Sequence, residues 1–315
     1  MNIIFFGTPE IALPILSTLH EHYSVTLIVC KPDKPQNRGQ KIIYPPTKAF
    51  ALKYNIPYYQ PSKLKNNEDA YQLLKKINPD YLITVAYGLI LPEAILKLPK
   101  KAPINVHFSL LPKYRGAAPV NWAIINGEKY TGVTTMLMNN SLDGGDILLQ
   151  SSMLIEKKTA PEVCNELAFL GAELTIKTID KFSCIKAKKQ NEKKASYAPI
   201  LKKEDGLIDW NKNAILIERM IRGLLNWPTA YTYLHNRLIK FYEASAVNDI
   251  GVDKKNQKPG KIVKINKDSF YVATGMGLLE VLKLQIEGKR ILTSAEFLRG
   301  NKLREGDCFS SKYLD

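Results

Sequence analysis

The stretch DYLITVAY, Asp80–Tyr87, is a short and nearly continuous apolar run. Strands covered by helices on both faces of a sheet have this composition, because no position along them faces solvent. Similar runs occur at Ile3–Phe6, Val25–Cys30 and Ile104–Phe108. Segments with helical spacing separate them, and Thr8 with Pro9 predicts a capped helix start after the first run. This alternation predicts an α/β fold with a doubly wound, mostly parallel sheet.

The last third of the chain has a different pattern. Short extended runs, divided by Gly, Asn and Asp, occupy Thr229–His235, Leu238–Ala246, Lys261–Ile265, Ser269–Ala273 and Leu278–Gln285. Successive short strands predict a small antiparallel β-barrel or sandwich. Before them, residues 181–203 hold eight lysines and one acid, which fits an exposed connector or an ordinary solvated helix end. We predict a first domain at 1–189, a Lys-rich linker at 190–206 and a β-barrel domain at 207–315.

Composition narrows the class of protein. The 315 residues are 45% hydrophobic and carry a net charge of +15. This charge favours a polyanionic partner such as nucleic acid, although a generally Lys-rich composition produces it too. No apolar run approaches the roughly 20 residues of a membrane span. The start of the chain, MNIIFFGTPE, lacks the basic segment of a signal peptide, so we expect a cytoplasmic protein without membrane contact.

Cysteine and histidine spacing gives no sign of a metal site. The four cysteines are far apart, and the four histidines form no HExxH motif. We therefore expect no bound metal. The first strand is followed by FFGTPE rather than by GxGxxG, which argues against a dinucleotide cofactor.

One strand carries polar side chains where an apolar core is expected. In INVHFSLLPKYRG, Ile104–Gly116, Asn105 and His107 share one face of the strand because side chains alternate. Their strand ends at the edge where doubly wound folds place their sites. In the later turn SLDGGDI, two glycines permit Asp143 to return to that edge. An amide, an imidazole and a carboxylate suit addition to a carbonyl group with proton transfer.

The segments that carry these residues resemble the folate-dependent formyltransferases. The similarity covers NVHFSLLPKYRGAAP and SLDGGDI, and it continues in FFGTPEIALPIL, KPDKPQNRGQKIIYPPTK, VAYGLILP and IDWNKNAILIERMIRGLLNWPTAY. These segments occur in the family's order and span most of the chain. The resemblance implies a Rossmann-like formyltransferase domain, followed by the OB-like second domain.

The resemblance also implies a reaction. The amino group of methionine carried by initiator tRNA would attack the formyl carbon of 10-formyltetrahydrofolate, with no metal. By this similarity Asn105 and His107 would donate to the oxyanion, and Asp143 would position His107 and a water that carries protons. The sequence leaves open which group takes the proton from the amine. The loop Ser109, Leu110, Leu111 and Pro112 matches the family's folate-binding segment.

Binding of tRNA is implied for the basic stretch Pro32–Lys41. In the family this stretch reaches the acceptor end of tRNA, with an Arg that matches Arg38, so we expect Arg38 and Lys41 to contact tRNA. We also expect a monomer. Two alternatives stay open: a formyltransferase acting on an amino sugar or another small amine, and a non-enzymatic RNA-binding protein. Phe108, where the family commonly has Gly, and Gly144, where Thr is common, depart from the pattern and put substrate binding constants in doubt.

Overall fold

The computed structural model describes residues 1–36, 41–248, 251 and 258–312. The chain forms two compact units, each assembled from several stretches of sequence. Unit 1 comprises Met1–Pro119, Tyr130–Leu154 and Val163–Pro199, and unit 2 comprises Val120–Lys129, Ile155–Glu162 and Ile200–Asp315. This division does not test the domain boundaries predicted at 1–189, 190–206 and 207–315, which remain a prediction.

The strands of unit 1 are short and follow the predicted apolar runs. In chain order they are β1 (Asn2–Gly7), β2 (Ser24–Val29), β3 (Lys34–Gln36), β4 (Lys41–Ile43), β5 (Tyr58–Tyr59), β6 (Tyr81–Val85), β7 (Ala102–His107), β8 (Arg115–Gly116), β9 (Tyr130–Leu137), β10 (Ile147–Leu154) and β11 (Tyr197–Ala198). The pairs β3–β4 and β8–β11 form two small separate sheets. The main sheet has the order β10-β9-β7-β6-β1-β2-β5.

This main sheet confirms the predicted fold class. Strands β5, β2, β1, β6 and β7 run parallel, while β9 and β10 are antiparallel additions at one edge. Every residue of β6 is buried, as the run DYLITVAY predicted. The chain leaves the central β1 toward β2 and β5, then returns to β6 and β7 on its other side. Such a reversal opens a crevice at the carboxyl ends of the strands, where this fold binds ligands.

Helices cover the sheet and continue into unit 2. Across the described ranges they are α1 (Leu13–His22), α2 (Pro46–Lys53), α3 (Glu68–Ile77), α4 (Glu93–Leu96), α5 (Pro119–Ile125), α6 (Ala160–Asp180), α7 (Ala214–Gly223) and α8 (Ser294–Gly300). Asn67 caps α3 by accepting the Ala70 N–H, and Asn78 ends the same helix in the left-handed conformation. None of these helices is both long and apolar enough to cross a membrane.

The helix start predicted at Thr8 and Pro9 is wrong. A 3-10 turn covers Glu10–Ala12, and α1 begins only at Leu13. The Thr8 hydroxyl instead donates to the Tyr87 carbonyl oxygen at 3.4 Å and accepts the Lys31 N–H at 3.2 Å. Because Tyr87 follows β6 and Lys31 follows β2, Thr8 links the carboxyl ends of three strands. These tertiary hydrogen bonds replace the helix cap that the local sequence favours.

Unit 2 contains the predicted antiparallel strands. They are β12 (Ala230–Leu234), β13 (Arg237–Val247), β14 (Ile262–Ile265), β15 (Phe270–Ala273), β16 (Leu278–Ile286) and β17 (Leu292–Thr293). The sheet order is β12-β13-β16-β15-β14, and β17 pairs with β16. The described strands do not close the sheet by pairing β12 with β14. Residues near the carboxyl end bridge these edges instead, since Ser310 pairs with Tyr233 and Cys308 pairs with Lys261.

The core of unit 2 is centred on aromatic rings. Trp210 stacks on Phe309 with ring centroids 5.5 Å apart, and Phe241 meets Phe309 edge-on at the same separation. The Trp210 indole N–H donates to the buried Thr232 hydroxyl at 2.9 Å. The one polar atom that Trp210 brings into the core is therefore satisfied, which keeps its burial favourable.

Truncation of Phe241 tests this core. Phe241 is 0% exposed, so Phe241→Ala is expected to lower the free energy of unfolding by about 3–5 kcal/mol through lost burial and a residual cavity. Chemical denaturation of the full chain measures this loss. The matched control is Met276→Ala, since Met276 is a largely exposed hydrophobic residue of the same unit. Equal effects of the two substitutions would contradict this account of the core.

Candidate active site

Three side chains converge at the carboxyl end of β7. Asn105 and His107 are two residues apart in this strand and project from the same face. Asp143 lies in the turn between β9 and β10 and reaches the same point. Asn105 Nδ2 donates to Asp143 Oδ1 at 3.2 Å, and Asp143 Oδ2 lies 3.6 Å from His107 Nδ1. The structure thus brings together the three residues that the sequence singled out.

The Asp143 carboxylate is held by donors from separate segments. Its Oδ2 atom accepts the backbone N–H of Gly116 at 2.8 Å, while Oδ1 accepts from Asn105. The Asp143 backbone is in the left-handed region, with φ of 48°. This conformation is unfavourable for most side chains but accessible to Asp in turns. Backbone strain and hydrogen bonds together fix the direction in which the carboxylate points.

His107 is buried, and both of its ring nitrogens face protein oxygen atoms. Nε2 lies 2.9 Å from the Tyr114 carbonyl oxygen, which can only accept, so this nitrogen carries a hydrogen. Nδ1 faces Asp143 at 3.6 Å, beyond a hydrogen bond but within the range of an ion pair. Donation from His107 to a substrate oxygen therefore requires one of these two contacts to open. Asn105 has a second amide hydrogen in addition to the one directed at Asp143.

The turn that presents Asp143 depends on a glycine. A methyl group built on Gly145 would lie 1.6 Å from the Leu137 carbonyl oxygen. The close approach accompanies a hydrogen bond of 2.9 Å from the Leu137 N–H to the Asp146 carbonyl oxygen. Gly144 is less confined, because its added methyl group would meet the Ser141 Cβ at 2.9 Å. The DGGD segment is thus shaped by backbone packing against the end of β9.

Three polar side chains around this turn were not predicted from the sequence. Arg115 is 4% exposed and binds Gln190 and Glu192, both from the Lys-rich stretch. Gln190 in turn donates to backbone carbonyl groups of the Asp143 turn. Glu192 is the one acid among the lysines of residues 181–203. An isolated acid in a basic stretch was the one sequence feature that could have indicated a specific ion pair. Nothing in the local pattern distinguishes Gln190.

The loop Ser109, Leu110, Leu111 and Pro112 begins two residues after His107. The Ser109 hydroxyl donates to the Lys113 carbonyl oxygen at 2.7 Å, so this side chain shapes the loop. Leu111 is buried, while Leu110 and Pro112 keep part of their surface exposed. The side chains of Leu110 and Pro112 are therefore more accessible to a folate than those of Ser109 and Leu111. The folate-binding role of this loop stays a prediction.

Two polar side chains, Thr134 and Gln150, form hydrogen bonds with the backbone of this loop. The Thr134 hydroxyl donates to the Ser109 carbonyl oxygen at 2.6 Å and accepts the Leu111 N–H at 3.2 Å. Gln150 Nε2 donates to the Leu111 carbonyl oxygen and to the Thr134 hydroxyl, each at 2.9 Å. Because Thr134 pairs with His107 between β9 and β7, the loop and the imidazole share one hydrogen-bonded framework.

The basic stretch predicted to bind tRNA is only partly described. Arg38 lies outside the described residues; the backbone of Lys41 begins β4, and its side chain is outside them too. Asp33, just before β3, bonds Lys48 Nζ at 2.6 Å and accepts from Gln60 at 2.8 Å. The Lys48 ammonium holds the pKa of the Asp33 carboxyl below its usual range, and Asp33 raises the pKa of Lys48. This ion pair joins the residue before β3 to helix α2, which follows β4.

Among the residues that the structure describes, no group of three His, Cys, Asp or Glu side chains is placed to hold a metal ion. Phe108, which departs from the pattern noted in the sequence, is buried directly after His107.

Comparison with known proteins covers nearly the whole chain. Residues 1–179 match the family described as Formyl transferase, and residues 200–302 match the Formyl transferase C-terminal domain. The chain is 46% identical over 310 residues to a methionyl-tRNA formyltransferase of Caldanaerobacter subterraneus subsp. tengcongensis, covering 97% of this chain and 99% of that protein. A methionyl-tRNA formyltransferase of Thermodesulfovibrio yellowstonii is also 46% identical, over 98% of this chain and 99% of its own length.

Solved structures share the fold at lower identity. WlaRD, a sugar 3N-formyl transferase solved with dTDP and 5-N-formyl-THF, has a TM-score of 0.67 at 21% identity and covers 92% of this chain and 99% of its own. HypX from Aquifex aeolicus, solved with tetrahydrofolic acid, has a TM-score of 0.60 at 16% identity, over 94% of this chain and 46% of HypX.

A substitution at Gly145 tests the geometry of the Asp143 turn. Gly145→Ala is expected to destabilise the protein by about 1–3 kcal/mol, because the new methyl group forces the turn away from Leu137. The displaced turn should carry Asp143 away from His107 and weaken any activity of the site. Thermal unfolding measures the stability. Gly300→Ala is the control, since an added methyl group there meets nothing within 4 Å; a Gly145→Ala protein as stable as this control would refute the close packing.

Proposed function

Because the chain belongs to the formyl transferase family, we propose that it transfers a formyl group from 10-formyltetrahydrofolate to the amino group of methionine on initiator tRNA. The product is N-formylmethionyl-tRNA, the aminoacyl-tRNA of translation initiation. Relatives at 42–46% identity that are called methionyl-tRNA formyltransferases support this acceptor over an amino sugar, because the sugar 3N-formyl transferase WlaRD, at 21% identity, shares only the fold.

The observation that carries the proposal is the convergence of Asn105, His107 and Asp143 at one rim of the sheet. Attack of the amine on the formyl carbon creates a tetrahedral intermediate with a negatively charged oxygen. The second amide hydrogen of Asn105 is suited to stabilise that oxygen, because a preorganised neutral donor needs little rearrangement as charge develops. His107 is the second proposed donor, once one of its protein contacts opens.

Proton movement in the proposed reaction is balanced and involves no change of oxidation state. A new C–N bond forms to the methionyl nitrogen, and the bond between the formyl carbon and the folate nitrogen breaks. The methionyl nitrogen loses one proton and the departing folate nitrogen gains one. His107 and Asp143, 3.6 Å apart, are the proposed carriers of that proton, either directly or through a water.

We assign the two substrates to different parts of the chain. The folate co-substrate would contact the loop Ser109–Pro112, where Leu110 and Pro112 retain exposed surface. The tRNA would contact the basic stretch containing Arg38 and Lys41, together with the domain proposed at 207–315. The net charge of +15 favours binding to phosphates, which weakens as salt rises. We further propose a cytoplasmic location, since the reaction belongs to translation. We also propose that the protein is a monomer.

A transfer assay tests the acceptor. The full-length protein is incubated with 10-formyltetrahydrofolate and methionine-charged initiator tRNA, and N-formylmethionyl-tRNA is quantified. Elongator methionyl-tRNA and a dTDP-linked amino sugar serve as alternative acceptors under the same conditions. Formylation of the initiator tRNA is the expected result. Turnover of the amino sugar without any transfer to tRNA would overturn the proposal.

Replacing His107 separates catalysis from RNA binding. His107→Gln is expected to lower kcat by about 100-fold or more, because the site loses a group that donates and carries protons. The affinity for charged tRNA should be nearly unchanged, since His107 is buried and the proposed tRNA contacts are made by other residues. Steady-state rates and a filter-binding titration measure the two quantities. A protein without enzymatic activity would instead keep its full RNA function after this substitution.

A further inference from the structure

The chain after α6 forms a strap, residues 188–198, across the segments that build the site. Backbone hydrogen bonds fasten it at both ends within unit 1. Lys188 exchanges two backbone hydrogen bonds with Ile147. Ser196 donates its N–H to the Pro112 carbonyl oxygen and accepts the Arg115 N–H, and the Ala198 carbonyl oxygen accepts the Ala117 N–H. In addition, the Tyr114 N–H donates to the Ser196 hydroxyl at 2.9 Å. The stretch that the composition marks as a basic connector is therefore tied to the residues following His107.

Arg115 is the anchor between this strap and the site. Its guanidinium group makes a two-pronged contact with Glu192, at 2.9 Å from Nη1 and 2.8 Å from Nη2. The same group donates from Nε and Nη2 to Gln190 Oε1, at 3.0 and 2.9 Å. A buried guanidinium group with these partners holds a fixed plane, because its donors diverge in a rigid fork.

The side-chain amide of Gln190 is oriented by that fork. Since its Oε1 atom accepts from Arg115, its Nε2 atom must point the other way. There Nε2 donates to the Asp143 carbonyl oxygen at 2.8 Å and to the Gly145 carbonyl oxygen at 2.7 Å. Both amide hydrogens are thus used on the turn that presents Asp143. Gln190 touches the backbone of this turn, not the carboxylate that faces His107.

We propose that Gln190 is a positioning residue: with Arg115 and Glu192 it fixes the Asp143 turn, so that the strap completes the catalytic site. This inference rests on the proposed formyl transfer. It assigns to the Lys-rich stretch a role that its charge does not indicate. Asp143 reaches His107 only while its strained turn is held, and two of the hydrogen bonds holding it come from Gln190.

The chemistry of the position requires an amide. A carboxylate at position 190 would keep an acceptor for Arg115, but it would place negative oxygen atoms against two carbonyl oxygens. A thioether of similar length would fill the space and provide neither donor nor strong acceptor. In both cases the carbonyl groups of Asp143 and Gly145 lose their partner, and a buried unpaired carbonyl is unfavourable enough to move a turn.

Kinetics of Gln190→Met and Gln190→Glu test the assignment. A displacement of about 1 Å costs up to roughly 100-fold in rate, so we expect kcat to fall by about 10- to 100-fold in both variants. The KM for tRNA and the KM for the folate co-substrate should change little, since Gln190 contacts neither in this account. The control is Gln72→Met, because Gln72 lies exposed on α3 and bonds only its helical neighbour Glu68 among the contacts described. A full kcat in either folded variant would overturn the proposal.

A double-variant comparison distinguishes positioning from a general loss of stability. If Gln190 acts through Asp143, adding Gln190→Met to Asp143→Asn should cause no further loss of kcat, because the interaction it supports is already gone. A merely structural role predicts multiplied losses, and that outcome would refute the inference.

A measurement without turnover keeps this inference separate from the proposed function. The ring ¹⁵N resonances of His107, assigned with His107→Gln, should shift in Gln190→Met and Gln190→Glu but not in Gln72→Met. Unchanged resonances would overturn the positioning role. A wild-type protein that transfers no formyl group would overturn the proposed function alone, because the resonances test the Asp143 turn in either case.

Discussion

The site depends on how the Asp143 carboxylate is held at the rim of the sheet. Its side chain is largely removed from solvent, and a charge in that position needs donors or an opposite charge nearby. It accepts hydrogen bonds from the Gly116 N–H and the Asn105 amide, and the His107 ring lies 3.6 Å away. These groups come from the end of β7 and from the segment that follows it. The carboxylate therefore joins β7 and its following loop to the distant turn between β9 and β10.

The same rim also joins the loop proposed to bind folate to the strap. The Thr134 hydroxyl holds the loop that begins at Ser109, and Thr134 is also the sheet partner of His107. The strap contacts the rim through Gln190, which accepts from Arg115 and donates to the Asp143 carbonyl oxygen. Hydrogen bonds in a partly buried region are stronger than at the surface and more costly when broken. Hydrogen bonds therefore hold the turn of Asp143 against strand β7 and the loop after His107 against strand β9.

Regular features of the fold were predictable because they follow from local periodicity. The nearly continuous apolar run at β6 indicated a strand covered on both faces, and alternation along β7 placed Asn105 and His107 on one face. The antiparallel strands of unit 2 were likewise marked by their turn residues. Thr8 shows where such reasoning fails: its hydroxyl has several competing partners, and contacts with Tyr87 and Lys31 prevailed over a helix cap.

Gln190 marks a second limit, because a residue that bonds backbone carbonyl groups leaves no periodic pattern in a sequence. The resemblance to the folate-dependent formyltransferases supplied the candidate residues, but it named neither the strap nor the direction of the Gln190 amide. Arg115 lies in the segment NVHFSLLPKYRGAAP, yet its burial and its partners depend on a segment some 75 residues away.

The amino-acid sequence by itself determined the α/β class, the antiparallel character of the last third, the net charge and the residue types available for catalysis. These follow from side-chain polarity and its spacing along the backbone, which are local properties. Tertiary structure alone decided that Asp143 faces His107, that both imidazole nitrogens meet oxygen atoms, and that the Lys-rich stretch supports the site. Such contacts depend on burial, where every polar group must find a partner, and that partner is selected by proximity in space, not in sequence.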